Sequence, residues 1–181
     1  MNDGLEDEWY SRLRQDWKPE HVRLLLIGES APDDGGDQSK RRFFYAEKLS
    51  GQDALFRGVV EAVLGVPHLD SKSETKTKWL AQLRDRGIFL IDLVPFPVKG
   101  AEKKRLRASA RRDSAAGCVA RAAALNPDGI IVCHKPSFRE LRGPLISAGL
   151  PLLHDEGINF PLGNWRESFV ADFRQAYADL N

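Results

Sequence analysis

The sequence predicts an α/β protein, a three-layer α/β/α sandwich with a central four-stranded parallel sheet, and three observations carry that reading. Four short apolar segments, Val22 to Ile27, Ile88 to Val94, Gly129 to Cys133 and Leu150 to Leu153, lack strict polar alternation, the mark of strands covered on both faces. Between them lie stretches with apolar residues at helical spacing, as crossovers between parallel strands require. The first strand then stops at Gly28-Glu29-Ser30-Ala31-Pro32, which delivers a carboxylate to the sheet edge where open parallel sheets bind ligands.

Taken in order, Leu5, Trp9, Leu13 and Trp17 recur every fourth residue and predict a helix within residues 1–20 that packs on the domain. After the first strand, Asp33 to Lys40 is a polar loop beside the site, and Asp70 to Lys78 is a second polar segment. Ser50 to Leu64 carries Leu55, Phe56, Val59, Val60 and Val63 on one helical face and stops at Gly65, a left-handed cap. Ser73 to Arg86 repeats the scheme with Trp79, Leu80 and Leu83 and ends at Gly87. A long Ala-rich helix is expected from Ala101 to Leu125, its basic first half exposed and its second half packed through Cys118 and Val119. Ser137-Phe138-Arg139-Glu140 has capping-box spacing and opens another helix, which Pro144 breaks or kinks. The last helix, Trp165 to Leu180, places Phe169, Phe173 and Tyr177 at four-residue intervals toward the core.

The bulk numbers narrow the function classes. A length of 181 residues with 42% hydrophobic content suits one domain, residues 1–181. With 27 basic and 26 acidic residues there is no global positive field, so affinity for nucleic acid must come from a local patch. The run Lys99, Lys103, Lys104, Arg105, Arg107, Arg111 and Arg112 is either a solvated helix face or a DNA track. Cys118 and Cys133, both in apolar runs, read as reduced, buried thiols and cannot form a four-thiolate centre; no metal or cofactor is expected. Without a signal-like N-terminus or a span of membrane length, a cytoplasmic monomer with no membrane partner is expected.

In a parallel sheet all strands end at one edge, and here the residues just past those ends are polar. The first strand offers Glu29 and Ser30, the second Asp92, the third His134 and Lys135, and the fourth His154, Asp155 and Glu156. Carboxylates and imidazoles converging on one hollow suit general acid/base chemistry, with Phe43, Phe44 and Tyr45 as flat apolar surface nearby. Structural readings stand beside these: Glu29 as a cap or a partner of Arg23, Asp92 as a turn cap, the Phe pair as core and each His as a satisfied core group.

Several of these segments resemble the uracil-DNA glycosylase superfamily. Gly28-Glu29-Ser30-Ala31-Pro32 is similar to its first motif, Phe43-Phe44 follows where that family places the ring that stacks on an extruded base, and Leu90-Ile91-Asp92-Leu93-Val94-Pro95 resembles its second strand. Asn159-Phe160-Pro161-Leu162-Gly163-Asn164-Trp165-Arg166 resembles its second motif, in which a Pro-Leu loop leads into the final helix. The resemblance implies that fold and a DNA partner whose deaminated or modified base, uracil first, is flipped out and hydrolysed from its sugar. It casts Glu29 as the acid that orients water, with loop residue Asp33 as a substitute, and His154, Asn159 or His134 as the group that stabilises the departing base. Ser30, Phe43, Phe44, Asp92 and His134 are expected to hold the base, and Ser137, Leu162, Asn164 and Arg166 to touch DNA.

Three positions depart from that pattern. Ser30 stands where the classical enzymes have Asp, Asp92 where they have Asn, and no His directly precedes the Pro-Leu turn. An ionised Asp can only accept, whereas reading uracil needs a donor as well. Two alternatives follow: a catalytically altered nucleotide- or nucleic-acid-binding module of the same fold, and a small-molecule hydrolase that uses Glu29 and His154.

Overall fold

A computed structural model describes residues 3–100 and 103–180, with side chains from residue 8 onward. Three parallel strands, β1 (Leu24–Gly28), β2 (Ile88–Asp92) and β3 (Gly129–Val132), form a sheet in the order β2-β1-β3. Every strand residue is buried, and successive side chains point to opposite faces, so both faces of the sheet are covered. Six α-helices are found among the described residues: α1 (Asp3–Asp16), α2 (Ala54–Leu64), α3 (Thr77–Asp85), α4 (Lys104–Leu125), α5 (Lys135–Ser147) and α6 (Arg166–Ala178). Helix α2 packs on α6 and α3, and α4 packs on α5. The expected helix start at Ala101 and the side chain of Leu5 lie outside the described residues.

The expected fourth strand, Leu150 to Leu153, is not a strand. It meets β3 through one parallel bridge, Ile130 with Leu152, in which Ile130 N–H donates to Pro151 O (2.8 Å) and Leu153 N–H to Ile130 O (3.0 Å). Pro151 has no N–H to extend the ladder, and further along the edge the His154 ring accepts the N–H of Val132 (3.0 Å) in place of main chain. The opposite edge is closed in a similar way: Tyr45 Oη accepts from Leu90 N–H (2.6 Å) and donates to Leu90 O (3.1 Å).

Helix ends follow local chemistry. Gly65 caps α2 with φ +70°, the left-handed conformation that its lack of a Cβ permits, and Asn126 does the same for α4 at φ 45°. The start of α5 departs from the expected capping box. His134 is the N-cap, its ring accepting the N–H of Ser137, with Pro136 in the first turn, and Pro144 is accommodated within the helix. The buried cluster runs from Tyr10 through the three strands to Phe169, Phe173 and Ala176 of α6. Both cysteines are free and buried within it, and burial pushes the Cys118 thiol up to about 11 and the Cys133 thiol up as well.

Candidate active site at the end of the central strand

Because β1 is the central strand, the residue after it is flanked by the ends of both neighbours. Main-chain bonds continue past the strands and fix this edge: Leu93 N–H donates to Gly28 O (2.9 Å), Val94 N–H to Glu29 O (2.8 Å) and Cys133 N–H to Ile27 O (2.9 Å). Gly28 is required by crowding, since a Cβ there would stand 2.7 Å from Asp92 Oδ1.

Glu29 is 9% exposed and lies among cationic and imidazole groups from two helices. Arg107 of α4 donates from Nε to Oε1 (2.9 Å), Arg111 one turn on brings Nη1 to 3.5 Å from Oε2, and His134 brings Nε2 to 3.0 Å from Oε2. None of the contacts at Oε2 has hydrogen-bond alignment, so Oε2 and Arg111 Nε are both buried without a hydrogen-bond partner. Burial raises the Glu29 pKa, but His134 and Arg107 outweigh it and hold the carboxyl at about 2. Glu29 is therefore an anion at neutral pH and a poor proton acceptor.

His134 is set by the turn below it. Its Nδ1 lies 2.8 Å from Ser137 Oγ and accepts the Ser137 N–H, which leaves Nε2 toward Glu29. A Glu29–His134–Ser137 line has the order of a nucleophilic triad, but Ser137 is fully buried in the first turn of α5, so it orients the ring instead of attacking a substrate. The same burial keeps Ser137 from the DNA contact expected of it. The edge of Phe160 stands against His134, ring centroids 6.2 Å apart, and brings the Asn159–Phe160 segment to the site with Asn159 half-buried.

Asp92 is close by but committed elsewhere. Burial pushes its pKa up, and Arg14 of α1 opposes that from 3.2 Å while also donating to Pro95 O (2.7 Å). Arg121 of α4 donates to the carbonyls of Asp92 and Leu93, both at 2.9 Å, so one helix reaches the ends of both β1 and β2. Asp33 accepts from Gly35 N–H (3.1 Å) and Gly100 N–H (3.4 Å), which ties its loop to the next turn, and Ser30 is half-buried.

The other expected site residues make no hydrogen bond or ion pair with Glu29 among the described residues. Both nitrogens of His154 meet main chain, Nε2 accepting from Val132 and Nδ1 donating to Glu156 O (2.7 Å), with Phe138 stacked at 4.9 Å; neither is open for catalysis. Phe43 is 2% exposed, packed on Tyr10 and Tyr45 with Arg14 over its face, so it is core. Phe44 is half-buried, edge-on to Phe56. A fully buried lysine fastens this pair, Lys76 Nζ donating to Phe43 O (2.8 Å) and pairing with Asp53 (3.1 Å). Leu162 is 65% exposed and Asn164 is exposed, but Arg166 is bound to Glu61 (2.7 Å) and Pro67 O (2.8 Å) on the α2 side.

Two cavities open elsewhere. One of about 840 Å³ lies between α1 and the 71–75 loop, and one of about 720 Å³ is lined by Glu61, His68, Asn164 and Arg166; neither has Glu29, Asp92 or His134 in its wall. Among the described residues no group of three or more His, Cys, Asp or Glu side chains could hold a metal ion, and no helix is long and apolar enough to cross a membrane.

Arg107, Arg111, Arg14, Arg121 and Phe160 are the site residues that the strand-end reading missed. For the α4 arginines a signal existed: positions 107, 111, 118 and 122 recur at helical spacing, and the last two are buried. Compared with protein-family models, curated proteins and solved structures, the chain matches none of them.

Proposed function

We propose that the chain is a DNA glycosylase-like enzyme that hydrolyses the N-glycosidic bond of a flipped-out deaminated or modified base, uracil first. The observation that carries this is Glu29, an anion held in a largely buried position at the end of the central strand. A carboxylate with so low a pKa is unsuited to removing a proton but well suited to standing beside a sugar that becomes an oxocarbenium ion. In that reaction the C1′–N bond breaks and its electron pair leaves with the base. Water adds to C1′ and its spare proton passes to solvent. The Glu29 carboxylate orients the water, and the positive charge of Arg111 meets the leaving base. His134, held by Ser137, is a positioning residue for Glu29.

A second reading, a nucleic-acid-binding module without the chemistry, is favoured by one observation: Arg107 already occupies Glu29 Oε1, and Arg14 occupies Asp92. Incubation with single- and double-stranded oligonucleotides containing uracil or hypoxanthine, followed by alkali, separates the two. The enzyme reading expects strand scission at the abasic site, reduced on the order of 10²–10³-fold by Glu29→Gln. Salt-dependent binding with no scission by the wild type would leave the binding module in its place.

A further inference from the structure

The electrostatics around Glu29 are not balanced. One carboxylate faces two guanidinium groups, and Arg111 Nε is buried with no hydrogen-bond partner, so the site can take a second anion. The two arginines differ in access. Arg111 is 14% exposed, whereas Arg107 is 46% exposed and stands on the outer half of α4. Residues 103–112 hold Lys103, Lys104, Arg105, Arg107, Arg111 and Arg112 and no acidic residue. Lys103, Lys104, Arg105 and Arg112 are exposed and make no ion pair among the described residues. Lys104, Arg107 and Arg111 follow one another at spacings of three and four, so they form a single row that descends to Glu29. A phosphate chain is the anion that fits a row ending in a guanidinium pair, because each phosphodiester offers two oxygens to an arginine fork.

We propose that Arg107 and Arg111 are a subsite for a backbone phosphate of the bound nucleic acid, and that its arrival draws Arg107 off Glu29 and frees Oε1. Arg107 is thus a mask on the carboxylate in the free protein and a phosphate ligand in the complex, while Arg111 and His134 stay on Glu29. The inference rests on the reading of the chain as a DNA-acting protein and adds the contact by which substrate unlocks the site. No bond is made or broken in the exchange; one ion pair replaces another.

The test uses the full chain, with a short single-stranded oligonucleotide and inorganic phosphate as separate additions. Binding is measured across a salt series for wild type, Arg107→Ala and Arg107→Lys, and the Arg107 Nε–H signal is followed by nitrogen-15 NMR. Loss of one phosphate contact should reduce the slope of log affinity against log salt by roughly 0.7 in Arg107→Ala, and Arg107→Lys should restore it. The Nε–H signal should move with the oligonucleotide; movement with inorganic phosphate alone would identify a small-anion site and overturn the backbone assignment. On a uracil deoxynucleoside, which has no phosphate to lift the mask, Arg107→Ala should release base faster than wild type. An unchanged slope together with an unmoved Nε–H signal would refute the subsite even if uracil is excised. A normal slope change with no excision by the wild type would refute the enzyme reading and keep the subsite.

Discussion

Glu29 sits under opposing influences whose balance sets its behaviour with pH. Burial favours the protonated form, and the His134 and Arg107 contacts favour the anion more strongly, which leaves the folded-state pKa at about 2 against an ordinary 4.5. The folded state thus keeps its anion where the unfolded chain has begun to take up a proton. That stabilisation is complete above about pH 4.5 and is lost as the pH falls toward 2; its full size is on the order of 3 kcal/mol. Urea denaturation of wild type and Glu29→Gln across this window should show the wild type losing its advantage as the pH drops. Asp92 works in the other direction, since burial raises its pKa and protonation on acidification relieves the fold. His134 has its own expected outcome: Ser137→Ala should lower kcat several-fold while leaving KM close to wild type, because the ring loses orientation and not its contact surface.

At the scale of elements, the strongest dependence is on side chains that close gaps between segments. Lys76 lies at the start of α3 and joins α2, through Asp53, to the Phe43–Phe44 segment, with burial pushing its pKa down. Lys76→Met would leave the Asp53 carboxylate buried without its partner and should cost about 3–5 kcal/mol, read as a thermal midpoint lower by roughly 6–20 °C. This scale also shows what sequence patterning can and cannot convey. The strands β1, β2 and β3 and the helices around them were legible because burial on both faces and helical spacing leave a direct mark on residue order. The Leu150 to Leu153 segment carries the same apolar mark, yet its pairing is decided by Pro151 and by the His154 ring, which compete for the donors and acceptors of β3. The strand-end position of Glu29 was legible too. Its partners Arg107 and Arg111 come from a helix 78 or more residues away, and no local pattern states which face of that helix turns toward the sheet.

At the scale of the whole molecule, the N-terminal helix is part of the site's foundation. Arg14 of α1 bridges Asp92 and Pro95 O beyond the end of β2, while Tyr10 of the same helix is buried against Phe43. Arg14→Ala should therefore act well beyond α1, leaving Asp92 as an unpaired buried carboxylate at a cost of about 3–5 kcal/mol. Calorimetry would register this as a lower single transition if α1 and the sheet melt together, and hydrogen exchange should quicken in β2 as well as in α1. The molecule has one carboxylate at the end of its central strand, flanked by two guanidinium groups of α4 and the His134 ring at the start of α5, and the proposed chemistry depends on that arrangement. The decisive measurement is single-turnover release of uracil from DNA by the wild type and by Glu29→Gln at neutral pH. A rate that falls on the order of 10²–10³-fold in the variant, with oligonucleotide affinity kept, is the expected result; equal rates, or no release by the wild type, would show that the Glu29 anion does not carry the reaction.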